Sequence, residues 1–552
     1  MRQNTLWRRI TCAAAIVTAT MTLLSCGGGG SDPLATFKNQ IPDWQACDPA
    51  RVGDDNLKLL TLLAQRTSCA DIRVPRDYAN PSKGEIKVAL LRVKALQTSE
   101  RRTSILINPG GPGSDGLPYA LMLASYWITD GTTDAAVAPL YKEMAQRFDL
   151  IGFSPRGIGS STKLECVRKR ELRFVADPTR DLSQTNTDNT LYNSQVIAES
   201  CRDNALTPDI NTDATARDMD LIRHLLGEEK LNFIGLSYGT WLGNWYASLF
   251  PERVGRMLLS GVTDFSEPLN HQTLQQEGGL QRVLDEVVIP YAVAHPQRFN
   301  NLAANADEIH AMLGNMPDAL HYATVNTLSE TNILSNSTLA DDAVLTLLAA
   351  KVIKAQLDSS PGIGEQALLD QMAGYPFSTQ KSLDDIAHLA AVAVVKSYFL
   401  QVGGKQESKD EGMFWAVVCN DSGTRYTPES WVLENNRNAG LYKDFGGLLR
   451  DNACLYWGLP AITRPPQAAA ASASGIMMLQ AELDPLTILA GARESLSLLP
   501  NARMIEITGE YTHAPMPPYG TACVDKPIAL YFLDGTQPPN TSCNRRALAA
   551  EK

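Results

Sequence analysis

The 552-residue sequence predicts an α/β protein with a mostly parallel central sheet and a separate helical insertion. Three observations carry that reading. Between Ala70 and Ser260, short apolar runs that read as buried strands alternate with loop and helix segments, which implies crossover helices between parallel strands. From Glu267 to about Phe414 the apolar spacing becomes helical almost throughout. Sheet character then returns at Gly475–Gln480 and Ala502–Thr508. A chain this long should form two or three domain-sized units, and 44% hydrophobic residues are enough to bury their cores.

The N-terminus reads as an address. Arg8-Arg9 precede an apolar run from Ile10 to Leu24, too short for a permanent span, which ends Leu23-Leu24-Ser25-Cys26-Gly27. This resembles a bacterial lipoprotein signal over residues 1–25, with Cys26 as the lipidated first residue of the mature chain. An ordinary cleaved signal peptide is the alternative. Residues 26–46 would then be anchor and tether, flexible at Gly27–Gly30. Gly27 after the cysteine favours the outer membrane by resemblance to Gram-negative sorting rules, so the expected place is the bacterial cell envelope, attached through the lipid on Cys26.

Export makes the cysteines legible. Setting aside Cys12 and Cys26 leaves Cys47, Cys69, Cys166, Cys201, Cys419, Cys454, Cys523 and Cys543, which fall into four sequence-local couples in that order. Other connectivities remain open. A metal site is the competing use, but no Cys-x-x-Cys spacing or nearby His pair supports it, so neither metal nor cofactor is expected. Net charge is −11, and about −14 without Arg2, Arg8 and Arg9, which argues against nucleic acid as a partner.

In chain order, Ala70–Val74 and Glu85–Lys94 read as strands, the second alternating in part as an edge strand would. Thr103–Ile107 is a buried strand feeding the loop Asn108-Pro109-Gly110-Gly111-Pro112-Gly113-Ser114. So dense a glycine–proline loop positions backbone rather than side chains. A phosphate loop would need a Walker lysine, which is absent. Phe148–Phe153 is another buried strand, opening Ser154-Pro155-Arg156-Gly157-Ile158-Gly159. Leu164–Pro208 is polar and reads as an excursion pinned by Cys166 and Cys201. A helix from about Asp213 to Leu226 precedes the strand at Leu231. At the far end, the helix Ile488–Leu498 separates the two last strands, and the tail holds a short helical stretch ending at Leu533.

The stretch Leu231 to Thr240 carries the chemistry. It reads as a strand, a corner at Ser237 and a helix, with Gly235 and Gly239 removing side chains that would collide at the corner. Ser237 is the candidate nucleophile, and the backbone N–H groups of Gly111 and Tyr238 are the candidate oxyanion donors. Of seven histidines, His224 sits on a helix face and His271, His295, His310, His321 and His388 fall in the helical insertion. Only His513 follows a core strand on a loop, which makes it the candidate base. Asp484, on the loop after the preceding strand, is the candidate orienting acid, and Glu482 is the alternative two residues away.

Several stretches together resemble the secreted bacterial tripeptidyl aminopeptidases, relatives of proline iminopeptidase within the α/β-hydrolase superfamily. They are Asn108–Gly113, Pro155–Gly159, Gly235–Gly243, Trp415–Asp421 and the Asp484 and His513 loops. The resemblance implies an α/β-hydrolase core over 47–265 and 415–552, with a helical cap at 266–414. It implies release of short peptides from substrates with a free N-terminus, hence carboxylates that bind an ammonium. Asp264, Glu267 and Asp421, near the core–cap junctions, are the candidates. Two departures stand out: Ser154 replaces the usual acid before Pro-Arg-Gly and should loosen that loop, and Tyr511-Thr512-His513 replaces the usual Gly-His. A carboxylesterase or lipase with the same triad is the first rival, and a non-catalytic binding lipoprotein on the same fold the second.

Overall fold

The computed structural model describes residues 32–97, 103–129, 134–405, 412–448 and 451–551. The signal-like segment, Cys26 and the glycine tether lie outside the described residues. The core is a nine-stranded sheet: β1 Thr67–Pro75, β2 Glu85–Val93, β3 Thr103–Asn108, β4 Phe148–Ser154, β5 Leu231–Leu236, β6 Val254–Ser260, β7 Ile476–Ala481, β8 Arg503–Thr508 and β9 Thr541–Asn544. Their spatial order is β1-β2-β4-β3-β5-β6-β7-β8-β9. β2 pairs antiparallel with β1 and β4, and every pair from β4 to β9 is parallel.

Alternation along the strands gives the sheet two buried faces. Leu106 and Phe233 point into one apolar cluster, whereas Ile105, Ile107 and Ile234 point into the other. Helices Thr212–Leu225 and Tyr238–Leu249 cover the first face, and helices Gly116–Ile128, Ala138–Arg147 and Ala522–Asp534 cover the second. The order reverses at β3: the chain leaves it toward β4, then crosses back to place β5 on its other side. The loops leaving β3 and β5 therefore diverge, and a crevice opens between them at the carboxyl ends of the strands.

A third apolar cluster holds the cap. Helices Leu269–Val283, Asp318–Glu330, Ala340–Ser359 and Lys381–Val402 contribute most of it. Helix Ala340–Ser359 is its axis: Val344, Leu345, Leu347 and Leu348 are all buried, which is the signature of a helix surrounded by others. Helix Gly412–Ser422, by contrast, sends Trp415, Val417 and Val418 into the core cluster beside the nucleophile helix.

One expectation about the strands is corrected, and two elements go unread in the sequence. The strand at Glu85 is not an edge: β1 pairs with it along all nine residues, and β1 is the outer strand. The polar excursion contains a 19-residue helix, Gln184–Arg202, whose inner face buries Val196, Ile197 and Ala198, too few apolar residues to give a periodic signal. Four-residue β9 is too short to be read from alternation. The cysteines pair in the expected order, as Cys47–Cys69, Cys166–Cys201, Cys419–Cys454 and Cys523–Cys543.

The loop after β4 is pinned rather than loosened. Ser154 Oγ donates to Asp115 Oδ1 at 2.8 Å, and Asp115 caps helix Gly116–Ile128 through the Leu117 amide. Arg156 is fully buried, donating to both oxygens of Asp218 and to the carbonyls of Pro75, Arg76 and Asp209. It ties the sheet edge to helix Thr212–Leu225 and does not face a ligand. Asp218→Ala leaves that guanidinium buried without its counter-charge and should lower stability by about 3–5 kcal/mol, read as a fall in the denaturation midpoint against wild type.

Candidate active site

Ser237 occupies the corner between β5 and helix Tyr238–Leu249 with φ 55° and ψ −123°, a left-handed conformation that a side chain adopts only under constraint. A Cβ on Gly235 would lie 2.4 Å from the Gly239 carbonyl, so the corner closes only with glycine there. The loop after β3 passes directly against the serine: a Cβ on Gly110 would meet the Leu236 carbonyl at 2.4 Å and Ser237 Cβ at 2.9 Å. The Gly111 amide makes no hydrogen bond to a described residue. Tyr238 is the first residue of its helix, where amides lack intrahelical partners.

The other two members follow β7 and β8. Asp484 is 2% exposed, and its carboxylate is saturated with donors. Oδ1 accepts from the amides of Leu486 and Thr487, both at 2.9 Å, and Oδ2 accepts from Thr487 Oγ1 at 2.9 Å and from the Ala514 amide at 3.2 Å. His513 Nδ1 lies 2.9 Å and 3.0 Å from the two oxygens. A carboxylate can only accept, so Nδ1 carries a proton, and in the neutral imidazole this tautomer leaves the lone pair on Nε2.

Ser260, at the end of β6, joins the two halves. Its carbonyl accepts from the Ser237 amide at 2.9 Å, and its Oγ donates to the Pro515 carbonyl at 2.7 Å. Glu482, the alternative acid, accepts from the Gly509 amide at 2.7 Å at the root of the histidine loop, and Asp484 alone of the two meets the imidazole.

The three candidate amine-binding acids are in different states. Asp264 Oδ1 accepts from Ser266 N and Oγ. Glu267 pairs with Arg425 at 3.0 Å and with His271 at 2.9 Å. Asp421 is 3% exposed and turned inward, accepting from the Thr212 amide at 2.8 Å, Thr212 Oγ1 at 2.5 Å and Trp241 Nε1 at 3.2 Å. Thr212 Oγ1 in turn lies 2.6 Å from the Tyr238 hydroxyl, so Asp421 braces the elbow from below rather than facing the cleft. Its neighbour Asn420 donates to the carbonyls of Thr207 and Ile210, and Cys419 bonds Cys454, so the matched Cys-Asn-Asp stretch is a packing knot. Sequence reasoning missed Thr487, Ser260 and this brace. Only Thr487 left a trace, as the third residue after Asp484 in a turn that the carboxylate caps.

The comparisons agree with the fold. A family model described as the alpha/beta hydrolase fold matches residues 103–310, and one described as TAP-like protein matches residues 443–543. A tripeptidyl aminopeptidase of Streptomyces coelicolor is 27% identical over 97% of both chains. The chain has the α/β-hydrolase fold and is similar over nearly its whole length to the tripeptidyl aminopeptidases. The serine protease Hip1 of Mycobacterium tuberculosis is 26% identical over 98% of both chains, and a carboxylesterase B of the same species 27% identical over 93% of this chain and 92% of that one. These relatives support a serine hydrolase, and the peptidases among them support a serine peptidase on a hydrolase fold.

Burial pushes the Asp421 carboxyl from its usual value near 3.8 up to about 7, against the hydrogen bonds from Thr212 and Trp241. Between those values the folded chain holds a proton that the unfolded chain has released, so stability falls as pH rises from about 4 to about 7. Asp421→Asn keeps an acceptor for Thr212 and Trp241 but has no proton to lose. Melting temperatures of the two proteins across this range should diverge, the wild type losing stability toward neutral pH relative to the variant.

Proposed function

We propose that the protein is a serine exopeptidase that releases short peptides, di- or tripeptides, from free N-termini through Ser237, His513 and Asp484. The observation that carries this reading is the Asp484–His513 hydrogen bond, joined through Ser260 to a serine held at a strained elbow. In the first step His513 Nε2 takes the Ser237 proton as Oγ attacks the scissile carbonyl carbon. The amides of Gly111 and Tyr238 hold the resulting oxyanion. His513 then protonates the departing amine, the carbonyl re-forms as an acyl-enzyme, and water repeats the cycle. Asp484 keeps the imidazole in the Nδ1–H tautomer and stabilises its cation.

The free amine is the distinctive part. Asp264 and Glu267 are the carboxylates proposed to receive it, Glu267 by exchanging its Arg425 and His271 partners for the substrate ammonium. Asp421, buried and already saturated, supports the elbow instead. A carboxylesterase is the second reading, favoured by the esterase relative and compatible with the same serine, histidine and acid.

The test compares a fluorogenic tripeptide amide with its N-acetylated twin, using the soluble form that starts after Gly30. The exopeptidase reading expects strong preference for the free amine and a loss of at least about ten-thousandfold in kcat for Ser237→Ala. Equal or absent cleavage of both peptides, with rapid turnover of short acyl esters, makes the protein an esterase.

A further inference from the structure

The three residues that end the histidine loop all engage the cap. The Tyr511 side chain is fully buried within the cap's apolar cluster. Thr512 Oγ1 accepts from the Ser337 amide at 3.0 Å and lies 2.9 Å from Ser337 Oγ. The His513 amide donates to the Ser335 carbonyl at 2.8 Å. Ser335 and Ser337 belong to one tight turn of the cap, rooted by Ile333 and Leu334 in the same apolar cluster.

The core side of this junction is rigid. Glu510 is fully buried, and its Oε1 accepts from the amides of Tyr511 and Thr512 and from Thr512 Oγ1 at 2.8 Å. Since the carboxylate can only accept, the Thr512 proton points to Glu510 and its lone pairs point to Ser337. Glu510 Oε2 accepts from the Tyr519 hydroxyl, and Arg546 of the C-terminal segment reaches Ser337 Oγ at 3.4 Å while stacking on Tyr519. Thr512 is thus hydrogen-bonded to both the core carboxylate and the cap turn, immediately before the proposed base, and Arg546 spans the same two groups at longer distances.

We infer that Thr512 is a positioning residue: through Ser337 it makes the placement of His513 depend on the seating of the cap. The inference rests on the triad reading above. With the cap seated, the Ser335 carbonyl and the Thr512 hydroxyl fix the backbone on which the imidazole is mounted. When the turn at 333–337 moves, His513 moves relative to Ser237, and proton transfer slows although Asp484 and Ser237 are intact. The cap then reports substrate occupancy to the base and does more than enclose the cleft.

Thr512→Val keeps the branched shape and removes the hydroxyl. On the tripeptide amide it should lower kcat between about tenfold and a hundredfold, the range for a reacting group misplaced by a fraction of an ångström to an ångström. KM should stay within about threefold, and Thr512→Ser should recover activity to within about threefold of wild type. Ser337→Ala should give part of the same loss and add little to Thr512→Val, because both remove one contact. Full kcat in folded Thr512→Val, an equal loss in Thr512→Ser, or full additivity of the two changes overturns the proposal. If Thr512→Val does not fold, Ser337→Ala alone decides it: a lowered kcat at unchanged KM supports the coupling, and an unchanged kcat overturns it. Labelling of Ser237 by a small fluorophosphonate separates the two readings. If wild-type Ser237 is inert, the triad itself fails. If wild type and Thr512→Val label equally fast, only the coupling fails.

Discussion

The left-handed backbone at Ser237 is the constraint on which the rest of the molecule is arranged. A non-glycine residue in such a conformation costs on the order of 1–3 kcal/mol and persists only where its surroundings over-determine it. Here β5 fixes one side and helix Tyr238–Leu249 the other. The Ser260 carbonyl holds the serine's amide, and the loop after β3 closes to within contact of its Cβ. Strand order supplies the remaining parts: with β6, β7 and β8 following β5 in the sheet, the acid and histidine loops open at the same edge.

The charges of the site divide by what each carboxylate touches. Asp484 is surrounded by donors and bound to an imidazole, the arrangement that orients a base. Asp421 is as deeply buried but has only a hydroxyl, an indole and an amide, and so holds its proton to near neutrality. Glu510 braces the histidine loop, and Glu267 lies at the surface in an ion pair. These acids are indistinguishable by residue type, and their neighbours give each a separate task.

How much could be read from the chain follows the same logic. Ser237, Asp484 and His513 were legible as candidates because each sits on a loop after an apolar strand, and that pattern is local. The eight cysteines were legible because their partners are 20 to 35 residues apart. Asp421 looked like a cleft residue because its position between core and cap is visible in the sequence, whereas its inward orientation depends on Thr212, more than two hundred residues earlier. The contact of Thr512 with Ser337 spans 175 residues and involves two common polar side chains, so no spacing rule points to it. The helix Gln184–Arg202 was hidden by polar composition, since much of its buried side is polar, with Asn186, Thr187, Thr190, Asn193 and Ser194, and its apolar residues cluster at 196–198.

The chain's last residues change the mechanics of the cap. An inserted lid normally hangs from two strands of backbone, where the chain enters and leaves it, and swings about that pair. This one is also held at the histidine loop, and again by residues 543–550. Leu548 is buried in the cap cluster, the Ala550 amide donates to the Tyr291 hydroxyl at 2.9 Å, and the Cys523–Cys543 bridge fastens the segment just before them to the core. A lid held at these residues and at the histidine loop cannot pivot freely about its two backbone connections alone, so the segment 543–550 acts as a strap across the base of the cap.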